Sequence, residues 1–384
     1  MAPLIIEVER GGGLSGADAA AGGKSQLAAQ LAPAVRALRA GKLVAFPTET
    51  VYGVGVLAGS ARGVGRLREL KERPEAAFTV HLASPAEAAR YVQDPPVRAR
   101  TLMAKAWPGP VTVLLPTGGR FVHPSLRGKA LYQRICRDGA VGLRCPADAV
   151  AQALLARVGK PVLATSANLA GRAPATSGQE VLQQLDGRVD VLIDAGSTRY
   201  QMASTVVAFQ GEDYKLVRAG VYDAGDIRRL TRRRILFVCT GNTCRSPMAE
   251  ALARKLLAER LGCAVEQLDE FGQEIVSAGT FASGGGEASQ NALAAAEELG
   301  ARLAKHRSRK LTNELINSAD VIFCMTAQHV AAVTRRVGDA AGKTYLLDPD
   351  GDVTDPIGGD VDTYLRAGRR IQRKLRKRMK ENLL

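Results

Sequence analysis

Short apolar runs alternate with amphipathic stretches along the C-terminal part of the chain, which predicts a regular succession of strands and helices. The apolar runs predict strands over 235–239, 274–278, 320–325 and 343–347, and the amphipathic stretches predict helices over 247–260, 289–300, 327–336 and 361–380. Alternation of this kind is typical of a doubly wound, mostly parallel α/β sheet with its site at the carboxyl ends of the strands.

The N-terminal part has a less regular pattern. Helical apolar spacing over 26–38 precedes a strand over 43–46 and a polar run over 47–53, whereas residues 11–24 are rich in Gly and Ala. A later helix has to end before Pro74, because the residue before proline avoids the helical region. We therefore predict a flexible lead-in over 1–31, a first domain over 32–222, a short polar linker over 223–233 and a second domain over 234–384.

Composition places the chain among ordinary globular proteins. Its 384 residues exceed one typical domain, and with 46% hydrophobic and 24% charged residues they suffice for ordinary cores. No run approaches the roughly 20 apolar residues of a membrane span, and residues 1–10 lack a signal-peptide pattern. Six cysteines in so long a chain indicate a reducing compartment. We expect a cytoplasmic protein without a membrane partner.

The positive charge is concentrated in the N-terminal part. Residues 1–232 hold 30 Lys and Arg against 19 Asp and Glu, whereas residues 233–384 hold 23 against 19. This excess favours a nucleotide, tRNA or double-stranded RNA as partner. The segment 366–384 holds nine basic residues and one acid, which indicates either a solvated helix or a nucleic-acid contact.

The most informative motif is the run Cys239–Pro247 between an apolar strand and a helix. Ser246 followed by Pro247 predicts a helix N-cap and first helical residue, so the loop wraps over a helix N-terminus, where backbone N–H groups and the helix dipole favour an anion. The same field predicts a lowered pKa for Cys239 and hence a nucleophile at neutral pH. Arg245 supplies a bidentate fork for phosphoryl oxygens.

Two further features of this loop concern its backbone and its second cysteine. Gly241 and Asn242 suit the left-handed backbone that such a turn needs. The alternative is a structural thiol pair or half of a metal site formed by Cys239 and Cys244, but no second Cys or His pair stands at ligand spacing. The sequence therefore predicts a phosphate site without a metal.

The run Cys239–Pro247 resembles the signature of low-molecular-weight protein tyrosine phosphatases, and the similarity extends from about Arg234 to the C-terminus. The resemblance implies that Cys239 forms a phosphocysteine, that Ser246 steadies its thiolate and that no cofactor is needed. It also implies a general acid, Asp355 of the run Asp355–Gly359, with Asp348 or Asp350 as alternatives. The remaining loop supports are Thr240, Gly241, Asn242, Thr243 and Cys244.

The residue after the nucleophile separates subclasses of this family. Here it is Thr240, in a run that resembles bacterial protein arginine phosphatases, and Ile357 and two glycines stand where tyrosine-specific members tend to carry aromatics. We expect a phosphoprotein substrate, in which phosphoarginine is the favoured phosphorylated residue and phosphotyrosine is the alternative.

A second series of motifs lies in the N-terminal part: 47–53, 71–74, 106–112, 141–144, 165–168, 204–207 and 218–220. Their order resembles the threonylcarbamoyl-AMP synthase family over residues 32 to 222. The resemblance implies a twisted mixed α/β sheet with a concave nucleotide site. It also implies ATP with Mg²⁺, L-threonine and bicarbonate as ligands, and a product used for tRNA modification together with partner proteins.

Carried onto the matching positions, the resemblance implies two groups of binding residues. The threonine site would be lined by Thr50, His81, Arg144, Ser166 and Ser204. The nucleotide would be held by Lys71, Arg73, Asn168, Thr176 and Arg218, whose cations and short polar side chains suit a triphosphate.

The segment after Arg73 departs from the family pattern, because it is shorter and lacks a second proline before His81. Three interpretations follow: a fused synthase and phosphatase, a non-catalytic nucleotide- or RNA-binding module joined to a phosphatase, or a synthase with a regulatory phosphatase-like domain. The presence of Cys239, Arg245 and Asp355 disfavours the third.

Overall fold

The computed structural model describes residues 2–9, 26–75, 77–303 and 305–381, and the chain divides into two compact units at Thr231/Arg232. Each unit is an α/β domain, as predicted. The first contains a mixed sheet and the second a parallel sheet.

The first six helices and strands of the first unit follow the order βαββαβ. The bounds of the helices and strands of this unit are β1 (Leu4–Glu7), α1 (Ala32–Arg39), β2 (Val44–Phe46), β3 (Gly53–Leu57), α2 (Ala61–Leu70), β4 (Thr79–His81), α3 (Val97–Ala106), β5 (Val111–Pro116), α4 (Lys129–Ile135), β6 (Cys136–Arg137), β7 (Ala140–Arg144), α5 (Ala149–Val158), β8 (Val162–Ser166), α6 (Gly178–Leu185), β9 (Val191–Asp194), β10 (Thr205–Gln210), β11 (Asp213–Arg218) and α7 (Ala224–Thr231).

The strands of the first unit are joined in the order β1-β9-β2-β3-β8-β4-β7-β5-β10-β11, with β6 added to β7. Pairs such as β4/β7 and β5/β10 are parallel, whereas β3/β8 and β5/β7 are antiparallel. Apolar residues pack on both faces of this sheet. The carboxyl ends of the parallel strands β4 and β7 lie side by side, with His81 opposite Arg144. Strand β8 is antiparallel to β4, and its carboxyl end at Ser166 lies beside Gly53 of β3.

The structure differs from two predicted segments. The expected lead-in includes β1, which pairs in parallel with β9, and a helical segment over 26–30; residues 10–25 lie outside the described residues. The expected linker 223–233 contains α7, whose Ile227 is fully buried in the core of the first unit, and its last residue, Arg233, begins β12. Burial of an apolar helix face outweighs the polar composition of that segment.

The second unit alternates strands and helices. Its elements are β12 (Arg233–Cys239), α8 (Arg245–Leu261), β13 (Gln273–Gly279), α9 (Gln290–Glu298), α10 (Asn313–Ser318), β14 (Val321–Cys324), α11 (Ala327–Arg336), β15 (Thr344–Leu346) and α12 (Val361–Lys380). The four strands are parallel, in the order β13-β12-β14-β15. All four predicted strands and all four predicted helices are present, and α10 is an addition.

Strand β12 lies inside this sheet, and its side chains alternate between two cores, as the period of a strand requires. Ile235 and Phe237 pack in one core, and Leu236 and Val238 pack in the other. Cys239 follows the first set and ends the strand on the side of α8. No helix of the described residues is long and apolar enough to cross a membrane.

A hydrogen-bonded tyrosine anchors the polar run 47–53 in the first unit. The Tyr52 hydroxyl lies 2.8 Å from the carbonyl oxygen of Gly196 and accepts from the backbone N–H of Ala195 at 3.1 Å. Its backbone N–H donates to Ala175 O, and its carbonyl accepts from Ala167 N. Tyr52 thereby connects three loops of the first unit.

We expect Tyr52→Phe to lower the free energy of unfolding of the first unit by about 1–3 kcal/mol, because it leaves a buried N–H without its hydroxyl acceptor. Urea unfolding, monitored by hydrogen exchange of peptides from the first unit, measures this free energy. Tyr200→Phe, at a partly exposed tyrosine of the same unit, is the matched control. Equal stability of the two variants would contradict the anchoring role.

Candidate active sites

The loop between β12 and α8 forms a tight cradle. Helix α8 begins at Arg245 with Cys244 as N-cap, so the predicted N-cap at Ser246 is wrong by two residues and Pro247 is the third helical residue. Asn242 has a φ of 56°, the left-handed conformation predicted for this turn, whereas Gly241 has no positive φ. The cradle turns at Asn242 because a short amide side chain tolerates this backbone.

The side chain and backbone of Asn242 hold the cradle in shape. Its Nδ2 donates to the hydroxyls of Ser246 at 2.9 Å and Ser277 at 2.8 Å, and its Oδ1 accepts from the backbone N–H of Arg309 at 2.7 Å. Its carbonyl oxygen lies 2.8 Å from Nε2 of His306. A fully buried amide with this many partners is rigid, so the loop backbone is organised before a ligand binds.

Cys239 lies at the base of the cradle. Its Sγ is 2.9 Å from the Ser246 hydroxyl and 3.3 Å from the backbone nitrogen of Asn242. Burial raises the pKa of the thiol, and it outweighs the hydrogen bonds from Ser246 and Asn242 and the charge of Arg245, which lower it. The predicted low pKa is therefore wrong for this conformation, although the predicted neighbours of the sulfur are present.

Burial is the main cause of this difference, and an ion pair also lies beside the thiol. Nη2 of Arg245 lies 2.5 Å from Oδ2 of Asp355, and Nη1 donates to Val353 O at 3.1 Å. The carboxylate offsets part of the guanidinium charge that favours a thiolate. Arg245 is buried, whereas the Asp355 side chain is 39% exposed.

The three candidate acids differ in their contacts. Asp348 is buried between Arg370 and Lys374, and Asp350 also pairs with Lys374. Burial opposes ionisation of Asp348, but the hydrogen bonds from Lys374 and Arg370 prevail and its pKa is lowered. A carboxylate held by two cations is a poor proton donor. Only Asp355 of the three contacts Arg245, which supports its choice as the acid.

The remaining loop residues face different neighbours. The Thr240 hydroxyl lies 3.4 Å from Nη2 of Arg245, and the Cys244 thiol lies 3.2 Å from the hydroxyl of Tyr364. Thr243 Oγ1 is 3.6 Å from that thiol. The residues of the predicted phosphate loop are thus brought together around one cradle.

His329 was missed by the sequence reasoning. Its Nε2 lies 3.0 Å from the Thr240 hydroxyl, and its Nδ1 lies 2.8 Å from the Thr326 hydroxyl. Burial, followed by the charge of Arg245, lowers the pKa of His329 to about 4, so the ring is neutral at pH 7 and has one acceptor nitrogen. His329 is 89 residues from Thr240 in the sequence, and a histidine within a predicted helix does not by itself indicate a functional site.

Two exposed apolar side chains adjoin the cradle: Phe281, which the sequence did not single out, and Ile357, which the sequence marked only as standing in place of an aromatic residue. Phe281 is 84% exposed, and its backbone N–H donates to Thr240 O. Ile357 is 71% exposed, and its backbone N–H donates to Oδ1 of Asp355 at 3.3 Å. An exposed large apolar residue beside a cleft is a signal for ligand contact that only the structure reveals.

In the first unit, Arg144 is the centre of a row of polar residues across the sheet. The register places it opposite His81 on β4 and opposite Thr112 on β5. Burial, followed by the charge of Arg144, lowers the pKa of His81 to about 3, so this imidazole is neutral. Three adjacent strand ends therefore present a cation, a neutral ring and a hydroxyl.

The carboxylate of Glu49, in the polar run 47–53, neutralises the guanidinium of Arg144. Nη2 of Arg144 lies 2.8 Å from Oε1 of Glu49 and 2.7 Å from the Thr50 hydroxyl, which in turn lies 2.9 Å from the Thr48 hydroxyl. Both partners of the ion pair are about 5% exposed. Thr50 was predicted, whereas Glu49 and Thr48 were missed, although the polarity of this run before an apolar strand was a signal.

A second group joins the ends of β10 and β11. Arg218 donates from Nε and Nη2 to the carbonyl oxygen of Ser204 at 3.1 and 2.8 Å, and the Ser204 hydroxyl lies 3.1 Å from that of Thr112. Burial, followed by the charge of Arg144, lowers the pKa of Arg218. Predicted threonine-site and nucleotide-site residues thus meet here.

A third group surrounds the ammonium of Lys71, which caps α2. Its Nζ lies 3.2 Å from Ser166 O, 2.8 Å from Asn168 O and 2.9 Å from Asn168 Oδ1. Because an ammonium has three N–H donors, these acceptors saturate it. Burial, followed by the charge of Arg73, lowers the pKa of Lys71 to about 8.

The two remaining predicted residues are less closely placed. Thr176 bonds Glu180 through its hydroxyl and its backbone N–H, while its neighbour Ala175 donates to Ala167 O beside Asn168. Arg73 is exposed, and its backbone N–H donates to Arg68 O. The structure brings Thr176 towards the Lys71 group but leaves Arg73 at the surface.

The residues that the structure describes contain no cluster of three or more His, Cys, Asp or Glu side chains suited to a metal ion.

Comparison with known proteins identifies both units. A family model described as "Telomere recombination", which covers the Sua5, YciO and YrdC proteins, matches residues 36–220. A model described as "Low molecular weight phosphotyrosine protein phosphatase" matches residues 234–383. Each match falls within one of the two compact units.

Individual relatives agree with these models. The first half is 35% identical over 193 residues to a threonylcarbamoyl-AMP synthase of Bacillus subtilis, covering 50% of this chain and 53% of that protein. It is also 33% identical over 165 residues to one of Marinobacter nauticus, covering 43% of this chain and 83% of that protein. The second half is 41% identical over 152 residues to a protein-arginine-phosphatase of Bacillus subtilis, covering 38% of this chain and 95% of that protein.

The chain belongs to both families. Its first unit is a domain of the threonylcarbamoyl-AMP synthase family, and its second unit is a domain of the low-molecular-weight phosphatase family. Both predicted resemblances are confirmed. The synthase domain corresponds to about half the length of the Bacillus synthase.

The saturated ammonium of Lys71 yields a pH prediction for the synthase domain. A lysine whose pKa is lowered to about 8 is charged at pH 7 and neutral at pH 9.5, so its attraction for ATP should disappear over this range. We expect ATP affinity, measured by calorimetry, to fall about ten- to a hundredfold. The variant Lys71→Met should bind ATP weakly at both pH values. If the ATP affinity of the wild-type chain does not change with pH, Lys71 only holds the turn 166–168 and does not bind ATP.

The Arg245–Asp355 pair yields a prediction for the phosphatase domain. Because its pKa is raised, Cys239 should be alkylated slowly by iodoacetamide at pH 7 and faster at alkaline pH. Asp355→Asn should accelerate alkylation at pH 7 by about three- to tenfold, since the freed guanidinium then favours the thiolate. Mass spectrometry of the Cys239 peptide measures the rate. Asp352→Asn, at a nearby carboxylate bonded to Ala327 N, is the control and should not accelerate it.

Proposed function

We propose that the chain is a bifunctional enzyme that hydrolyses phosphoarginine in proteins and synthesises threonylcarbamoyl-AMP. The observation that carries the first activity is the cradle in which a thiol, a guanidinium and a partly exposed carboxylate meet at Cys239, Arg245 and Asp355. The second activity is supported by the buried cations and hydroxyls around Arg144 and Ser204.

In the proposed phosphatase reaction, Cys239 gives its proton to solvent, and its sulfur attacks phosphorus as a thiolate. The bond from phosphorus to the leaving nitrogen or oxygen breaks, and Asp355 gives that atom a proton. Water then attacks the phosphorus of the phosphocysteine and gives a proton to Asp355, the sulfur–phosphorus bond breaks to restore the thiolate, and inorganic phosphate leaves. Arg245 would turn from Asp355 to the phosphoryl oxygens, whose developing charge its two donors stabilise.

Phosphoarginine is favoured over phosphotyrosine by the environment of Asp355. The carboxylate already accepts a guanidinium hydrogen bond, from Arg245, while remaining accessible to solvent. A substrate guanidinium offers the same planar donors. The side chain two residues after Asp355 is Ile357 and not an aromatic ring, which gives a phenol less stacking surface on this side of the cradle than on the side of Phe281.

In the proposed synthase reaction, the amine of L-threonine combines with bicarbonate, and water is lost. The resulting carbamate oxygen attacks the α-phosphorus of ATP, and pyrophosphate leaves. Arg144 and the hydroxyls of Thr50 and Ser204 would bind threonine, whereas Lys71 and Arg218 would bind the phosphates. Magnesium carried by ATP would neutralise phosphate charge.

A specific observation favours a second candidate, in which the synthase domain only binds nucleotide or RNA. The three donors of Lys71 are occupied by the protein's own oxygens, and its ammonium would have to exchange them for phosphate. Nucleotide binding without release of pyrophosphate would support this candidate over the synthase.

Each domain serves as a folding control for the other in the full-length chain. Arg144→Ala should lower threonylcarbamoyl-AMP formation at least about a hundredfold, because it leaves Glu49 buried without its cation and removes a charged ligand contact. Phosphoarginine hydrolysis by the same variant should not change. Cys239→Ser should abolish hydrolysis and leave synthesis intact.

Chromatography of the adenylate product and release of inorganic phosphate measure the two activities. Absence of product from the wild-type chain with ATP, threonine, bicarbonate and Mg²⁺ would overturn the synthase proposal. Undiminished hydrolysis by Cys239→Ser would overturn the phosphatase mechanism.

A further inference from the structure

A row of exposed cations runs beside the phosphatase cradle. It comprises Lys305, Arg307, Arg309 and Lys310, which we call the basic rim. The segment lies between α9 and α10, and neither the proposed chemistry nor the loop hydrogen bonds use these four side chains.

The backbone of the basic rim is fixed. The backbone of Ser308 is bonded to the glycine run 284–286: its N–H donates to Gly286 O, and its carbonyl oxygen accepts from Gly285 N. Gly279 N donates to Arg309 O, and Leu311 N donates to Gly279 O, at 2.9 Å each. An extended segment held in this way displays its side chains without a large loss of backbone entropy on binding.

The basic rim is close to the nucleophile. Cys239 is in register with Gly279 on the neighbouring strand, and Gly279 forms a parallel bridge with Lys310. Because neighbouring strands lie about 4.8 Å apart, two such steps place the Lys310 backbone about 10 Å from that of Cys239. The backbone N–H of Arg309 bonds the same Asn242 that shapes the cradle. A peptide with its phosphoryl group in the cradle therefore has neighbouring residues within reach of the rim.

The charge of the basic rim is mostly unbalanced. Arg307 pairs with Glu287 at 3.1 Å. Among the described residues, no ion pair involves Lys305, Arg309 or Lys310. Exposed cations at the edge of a binding site raise association rates with partners of opposite charge and affect specificity more than stability.

We propose that the basic rim selects phosphorylated protein segments that carry Asp or Glu close to the phosphorylated residue. The inference rests on the proposed phosphatase activity and names its substrate class. An acidic peptide fits better than a nucleic acid, since the adjoining cradle takes a single terminal phosphoryl group and Phe281 and Ile357 offer apolar contacts to side chains.

The test compares two phosphoarginine peptides of equal length, one with Asp and one with Ser at the flanking positions, at low ionic strength. The measured quantity is the ratio of their kcat/KM values for the full-length chain. The test variant is Arg309→Gln with Lys310→Gln, which keeps the backbone N–H to Asn242. The matched control is Arg373→Gln with Arg376→Gln, which removes the same charge from two exposed positions of α12.

We expect the wild-type chain to favour the acidic peptide by about three- to tenfold, because each rim cation contributes the small energy of an exposed ion pair. The test variant should bring the ratio close to one, the control should keep it, and 0.5 M salt should remove it. A wild-type ratio of one, or an equal loss in the control variant, would overturn the inference while leaving the phosphatase proposal intact.

Two further outcomes are distinguishable. If the wild-type chain hydrolyses neither peptide nor p-nitrophenyl phosphate, the proposed activity fails and the inference fails with it. If a single-stranded RNA oligonucleotide inhibits the wild-type chain but not the test variant, and the peptide ratio is one, the basic rim is a nucleic-acid surface and the acidic-peptide inference is wrong.

Discussion

Both candidate sites depend on the same constraint: a buried guanidinium must be neutralised within its own domain. Removing one partner of such a pair costs about 3–5 kcal/mol, because the other charge is left in a medium that solvates it poorly. Glu49 meets this requirement for Arg144, and Asp355 meets it for Arg245. Each proposed substrate is itself an anion. At Arg245, the internal carboxylate of Asp355 therefore occupies the place in the charge balance that a bound phosphoryl group would take.

The two pairs solve this problem differently. Glu49 is as buried as Arg144 and also accepts the backbone N–H of Ala147, so it belongs to the fixed frame of the synthase domain. Asp355 is exposed at the mouth of the cradle, and a carboxylate in that position is free to leave Arg245 for a proton-transfer role. The raised pKa of Cys239 follows from its burial beside this pair, which outweighs the hydrogen bonds from Ser246 and Asn242 and the charge of Arg245.

Around these charges, the supporting groups are neutral and hydrogen-bonded. His81 and His329 are both uncharged because burial and a nearby arginine lower their pKa values. Asn242 and the Ser246 hydroxyl hold the phosphatase loop, and Ser204 and Thr112 connect strand ends in the synthase domain. Neutral polar groups fix geometry without competing for the substrate's charge.

The sequence by itself determined the alternation of strands and helices in the second domain, the cradle of Cys239 and Arg245, and the two family resemblances, because these depend on local periodicity and contiguous motifs. It did not determine β1 or α7, whose places are decided by burial and by pairing with a strand far along the chain. Only the tertiary structure showed which of Asp348, Asp350 and Asp355 contacts Arg245, and only it brought Glu49 to Arg144 and His329 to Thr240. The physical reason is that charge balance and hydrogen bonding in a buried site are set by distances between segments, which local sequence patterns do not encode.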